Sequence, residues 1–313
     1  MTELIQLNTY PVNVVLKSLL ADKTTKKNIL FATDAYSSVN PEITPKSHIT
    51  YILLHGFDSC VIQPRVSKNQ SEQSERTRKK AEVFTPSWIC NKMNNHCDTE
   101  WFGRADVFNV ENGQSWIPTE TPILFEGKRT WQSYVDSRRL EITCGEAPYI
   151  VSRYDAATGE LIELPRRIGM LDRKLRVVNE NAKTEDEWLK WVCRAYQSVY
   201  GYEFQGDNLL IARINLLVTF VDYMQDRWKR TPTEDELKKL TNIICWNFWQ
   251  MDGITGSIPF GKPREDFLQA SLFDFGFAPE PQDTKKDDEA VDCRIYDWRK
   301  ETSLTFRSLK EGK

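Results

Sequence analysis

Glu141 to Tyr149 read EITCGEAPY, and Tyr200 to Leu217 read YGYEFQGDNLLIARINLL. Each pairs a short run able to extend with a sharp change into helix-forming sequence. A strand, a tight loop and a helix start are how doubly wound folds aim backbone N–H groups at a nucleotide-like ligand beyond the carboxyl ends of their strands. An acidic residue closing the next strand, here Glu203, is placed to accept ribose hydroxyls. A loop with one glycine is a weak signal and many strands end in Glu, so the information lies in the two stretches and their order.

EITCGEAPY resembles the cofactor loop of the adenine-specific (N6) DNA methyltransferases of restriction-modification systems, usually written DPACGSGxF or EPACxxGPF. Glu141, Cys144, Pro148 and Tyr149 match. Ile142 stands where the family has proline, and Gly145 and Ala147 approximate its small positions. A second match is Lys79 to Met93, KKAEVFTPSWICNKM, which is similar to the family's (G)EVFTPxxLVxxM segment. Physically Thr85 suits a helix N-cap and Pro86 the first helical position, with Trp88, Ile89 and Met93 near one face. A weaker third piece is Cys293 to Trp298, CRIYDW, a strand-like run ending in Asp297. A surface Asp at a strand end is its bland reading.

The resemblance implies an α/β fold of the class I S-adenosylmethionine-dependent methyltransferase type, with a doubly wound, Rossmann-like sheet that is incomplete here. It implies that Glu141, Thr143, Cys144, Gly145, Pro148 and Tyr149 wrap the methionine part of the cofactor and that Phe84, Thr85 and Pro86 cover its end. Glu203 and Phe204 would hold the ribose side, and Asp297 with Trp298 the adenine. A small mixed α/β or helical cap over residues 1–78 would precede a cofactor domain over 79–313.

The family's catalytic loop, [N/D/S]PP[Y/F], does not occur in this sequence. The nearest run is Ser257 to Phe260, SIPF, which lacks the first proline and precedes CRIYDW. No catalytic residue is therefore assigned. The chain stops at Lys313, where the strand before that loop is expected. The expectation is a split enzyme, in which a second methyltransferase or restriction subunit supplies the catalytic loop and the DNA-recognition region; a broken gene would leave the same sequence. The alternative is a non-catalytic cofactor-binding or structural subunit of a restriction or phage system. A third reading is a methyltransferase for another acceptor, which SIPF beside the cofactor loop would favour.

Composition bounds these readings. At 40% hydrophobic and 12% aromatic the 313 residues can bury a substantial core. No run approaches a membrane span and the amino terminus lacks a signal-like pattern, so a cytoplasmic location is expected. Seven scattered cysteines fit reduced thiols, and Cys90, His96 and Cys97 lack a second ligand pair for zinc. A net charge of −3 opposes DNA binding through the overall field, so DNA is expected to be met through a complex. Two basic groups stand out, Arg76 to Lys80 and Arg166 to Arg176, and either could face phosphate or water.

Helical periodicity marks Glu185–Tyr200 with Thr184 as cap, a helix from Asp207 through Met224, and one opened by the Thr233–Glu236 capping box and running toward Trp249. Ala147–Tyr154 reads as a helix, Ala157–Pro165 as a turn-rich insertion, and Ser67–Glu75 as a solvated linker. The Pro-rich acidic stretch within 277–290 reads as a mobile loop.

Overall fold

Three short strands run side by side and parallel: β3 (Arg139–Glu141), β4 (Val199–Glu203) and β5 (Phe248–Gln250). Arg139 aligns with Val199, and Gly201 with Phe248. The computed structural model describes residues 4–56, 61–80, 85–261 and 291–310. Phe84 and the loop expected over 277–290 lie outside the described residues.

Helix pairs connect the strands, as parallel pairing demands. Between β3 and β4 lie α6 (Met170–Asn181) and α7 (Glu185–Gln197); between β4 and β5 lie α8 (Gly206–Trp228) and α9 (Glu234–Asn247). The Thr184 hydroxyl accepts the Glu187 N–H, and Thr233 and Glu236 form a reciprocal capping box, both as the sequence predicts. The result is a mixed α/β protein.

Upstream come α1 (Val12–Leu19), α2 (Tyr51–His55), α3 (Gln70–Lys80), α4 (Ser87–Phe102) and the hairpin β1 (Asn109–Asn112) with β2 (Ser115–Pro118), followed by α5 (Trp131–Val135). Val12, Val15, Leu16 and Leu19 of α1 join the same hydrophobic core as α8 and α9. At the carboxyl side β6 (Arg294–Asp297) and β7 (Thr302–Thr305) form an antiparallel hairpin, then α10 (Phe306–Lys310). Their Ile295 and Phe306 cover Tyr202 and Trp249 on one face of the parallel sheet.

Several local expectations are corrected. No helix forms over Ala147–Tyr154, because Thr143, Gly145 and Ala147 all take positive φ and coil the chain instead. The helix α9 stops at Asn247, and the aromatics after it extend into β5 rather than continuing the helical period. Residues 70–80, within and beyond the expected linker, are helical. His55 ends the short helix α2, its ring stacked on Tyr51. Of the Arg166–Arg176 group, Arg173 and Lys174 face neither phosphate nor water, because both are buried. Arg173 binds Asp98 at 2.6 Å, and Lys174 donates to Val135 O at 3.0 Å. Arg76 is also buried, against Asp207. No helix among the described residues is long and apolar enough to cross a membrane.

Candidate functional site

The carboxyl ends of β3 and β4 bring Glu141 and Glu203 to one rim, both less than a tenth exposed. The loop between them is held by backbone. Cys144 N–H donates to Tyr202 O at 2.9 Å, extending the β3–β4 ladder by one rung, and Ala147 N–H returns to Cys144 O at 2.7 Å.

Glu203 organises the rim. Its Oε2 accepts Gly145 N–H at 2.8 Å, and its Oε1 accepts Phe204 and Gln205 N–H, each at 3.0 Å. A carboxylate offers about four lone-pair directions, so one on Oε2 remains for a ligand hydroxyl. Accepting two hydroxyls would require Gly145 N–H to move aside. Burial pushes the Glu203 carboxyl up, and the Gln205, Gly145 and Phe204 amides pull back against it.

Glu141 is less well provided. Its Oε1 accepts Tyr149 N–H at 3.4 Å, while Oε2 is buried with no hydrogen-bond partner. Burial raises this carboxyl well above the ordinary range, the Tyr149 and Ile150 amides oppose the rise, and the nearby Glu203 charge adds to it. A buried carboxylate oxygen without a donor is unfavourable by about 1–3 kcal/mol or more. An ammonium or N–H brought by a ligand would relieve it. Cys144 lies between the two acids; burial and both carboxylates raise its thiol, which makes it packing rather than a nucleophile.

Thr85 and Pro86 stand beside this loop. Cys90 Sγ lies 3.7 Å from Thr85 O, and the Tyr149 hydroxyl donates to Met93 Sδ of the same helix at 3.7 Å. The helix α4 begins at Ser87, with Pro86 as the capping residue, so Thr85 is not its N-cap. Pro148 is half-buried and Thr143 is exposed at the loop tip. Phe204 meets Phe260 edge to face at 5.6 Å, which places the SIPF aromatic at the rim. Ser257 is buried and its hydroxyl is engaged with Thr255 Oγ1 at 2.7 Å, so it turns away from the rim.

Asp297 and Trp298 do not reach this place. They belong to the β6–β7 hairpin and pack at the opposite, amino-terminal ends of the parallel strands. Asp297 Oδ1 lies 3.8 Å from Arg138, which precedes β3, and Trp298 donates to Asn247, which precedes β5, at 2.7 Å. The residue that follows β5 at the rim is Asp252. Met251 N–H donates to Glu203 O at 3.0 Å, and Asp252 Oδ1 then accepts Ile254 N–H at 2.9 Å and Thr255 N–H at 3.2 Å. The signal for it was present in FWQMDG, an aromatic run ending in an Asp-Gly turn; helical spacing upstream obscured it. Gln250 was also missed. It ties the amino-terminal segment to the rim, accepting Leu30 N–H at 2.8 Å and donating to Leu30 O and Phe204 O at 2.9 and 2.8 Å. Among the described residues no three His, Cys, Asp or Glu side chains converge as a metal site would require.

A scan of protein-family models, a search of curated proteins and a search of solved structures each find no match to this chain.

Proposed function

We propose that this chain binds S-adenosylmethionine at the rim formed by Glu141, the loop 142–149 and Glu203. We further propose that it is the cofactor-binding subunit of a class I, doubly wound adenine (N6) DNA methyltransferase. A second chain would carry the catalytic loop and the DNA-recognition region. The observation that carries the reading is Glu141 Oε2, buried at a strand end with no donor. The amino acid end of this cofactor carries an ammonium of the right charge and size to meet it.

The cofactor supplies a sulfonium methyl for transfer to an exocyclic amine. The chain's own part is binding and orientation. Glu141 neutralises and positions the ammonium. The free lone pair of Glu203 Oε2 accepts a ribose hydroxyl. Phe204 and Asp252, beyond the ends of β4 and β5, border the base side in place of the expected Asp297 and Trp298. Phe260 completes an aromatic edge there, yet the Ser257 hydroxyl is buried against Thr255 and not presented to a target amine, which favours a partner chain over a self-contained site.

Hydrogen exchange with and without S-adenosylmethionine tests the placement. The expected result is added protection confined to residues 141–149 and 203–208. Protection limited to the β6–β7 hairpin would place the ligand at Asp297 instead and contradict it.

A further inference from the structure

We infer that the turn over residues 153–162 is a clamp that sets the Thr85–Pro86 turn against the cofactor loop, with Asp155 as its positioning residue. This rests on the cofactor reading above. From sequence, Arg153 and Tyr154 read as the end of a helix and Ala157 onward as a turn-rich insertion.

The helix α4 starts without a cap of its own, because Pro86 has no side-chain acceptor. The N–H of Ser87 is taken instead by Asp155 Oδ2 at 2.7 Å, from 68 residues further along the chain. The other carboxylate oxygen accepts the N–H groups of Ala157 and Thr158, both at 2.8 Å, so Asp155 is fixed by its own turn. Asp155 N–H donates to Glu160 O at 2.8 Å and closes that turn. Burial opposes the charge on Asp155, but the Ser87, Thr158 and Ala157 donors outweigh it and hold the carboxyl below its ordinary value.

The preceding residue grips the other side. Tyr154 donates its hydroxyl to Glu146 Oε2 at 2.6 Å, and Glu146 belongs to the cofactor loop. Asn215 of α8 donates to Glu146 O at 3.2 Å and to the Tyr154 hydroxyl at 3.1 Å. Two adjacent residues therefore hold the loop and the start of α4 at a fixed separation. A surface turn with no such role would need neither contact.

The test is calorimetric titration of the full chain with S-adenosylmethionine and, separately, with adenosine, which lacks the methionine end that Thr85 and Pro86 would cover. Asp155→Ala should weaken S-adenosylmethionine about tenfold, the size of one charge-assisted hydrogen bond, and leave adenosine within about twofold. Ser87→Pro removes the N–H and the hydroxyl that meet Asp155 and keeps a residue suited to the first helical position; it should reproduce the loss, and adding Asp155→Ala to it should add nothing. Equal weakening of both ligands, unchanged affinity, or additive losses would overturn the clamp. If Asp155→Ala does not fold, Ser87→Pro carries the test alone. Wild type that binds neither ligand overturns the cofactor reading and this inference together, whereas wild-type binding with unaffected variants overturns the clamp only.

Discussion

The backbone N–H of Gly145 donates to the Glu203 carboxylate at 2.8 Å, joining the loop after β3 to the end of β4. One buried acid therefore shapes the loop and faces the ligand. Replacing it by alanine leaves the N–H groups of Gly145, Phe204 and Gln205 without their acceptor. Glu203→Ala should destabilise the fold by about 1–3 kcal/mol, read as a lower urea midpoint with an unchanged slope. The Gly145 amide should exchange faster. An unaltered midpoint would mean that water replaces the carboxylate without loss.

Glu141 behaves in the opposite sense. Its folded pKa is raised by burial, so the folded state holds this proton more tightly than the unfolded one. As pH rises above the unfolded value of ~4.3 toward the raised folded value, stability is lost. Glu141→Gln removes that loss. Its Tm should exceed wild type at neutral pH and equal it below about pH 4. The same substitution should weaken S-adenosylmethionine, because the neutral amide cannot neutralise an ammonium. A variant less stable than wild type at neutral pH would contradict the account of Oε2.

A further buried carboxylate, Asp207, lies just beyond the rim. Burial works against ionised Asp207, but Lys68 at 3.5 Å, Arg76 at 2.9 Å and the Tyr36 hydroxyl at 2.9 Å outweigh it and bring the pKa down to about 2. A carboxyl depressed in the folded state contributes stability above its unfolded value of ~3.9, on the order of 2 kcal/mol. That contribution is lost as pH falls through about 2. Arg76→Ala leaves the buried charge with Lys68, the Tyr36 hydroxyl and the Asn208 N–H and should cost about 3–5 kcal/mol. Acid titration followed by circular dichroism checks both. In Asp207→Asn the part of the acid sensitivity between pH ~4 and about 2 should disappear.

Gly206 opens α8 directly against the amino-terminal segment. A Cβ there would lie 1.9 Å from Leu30 O, while Gly206 N–H already donates to Phe31 O at 3.0 Å. Gly206→Ala must separate two backbones, so a loss of about 3 kcal/mol or more is expected from overpacking. Thermal denaturation measures it, and a change below about 0.5 kcal/mol would show that the segment yields freely.

The parts legible in the sequence were those fixed by local chemistry. Thr184 and the Thr233–Glu236 box marked their helix starts because a cap is read by residues three apart. Glu203 at the end of β4 and the loop from Glu141 were likewise visible, and the fold brings them together. What escaped depended on distant partners. Apolar spacing carries the reading of α9 toward Trp249, yet Asn247 donates to Tyr196 O and Val199 O, both at 2.9 Å, and the next residues pair with β4. CRIYDW reads as a strand and Arg294–Asp297 form one, but nothing local says that it pairs with Thr302–Thr305 instead of joining the parallel sheet. The capping of Ser87 by Asp155 spans 68 residues and has no local signature.

The central claim is a cofactor site built on two buried acids, and calorimetric titration of S-adenosylmethionine into the purified chain, with Glu141→Ala and Glu203→Ala alongside, tests it most directly. The account predicts saturable one-to-one binding by wild type, weakened by each substitution, about tenfold or more where a charged partner is removed. Wild-type binding that neither substitution alters, or no binding by wild type, would contradict it.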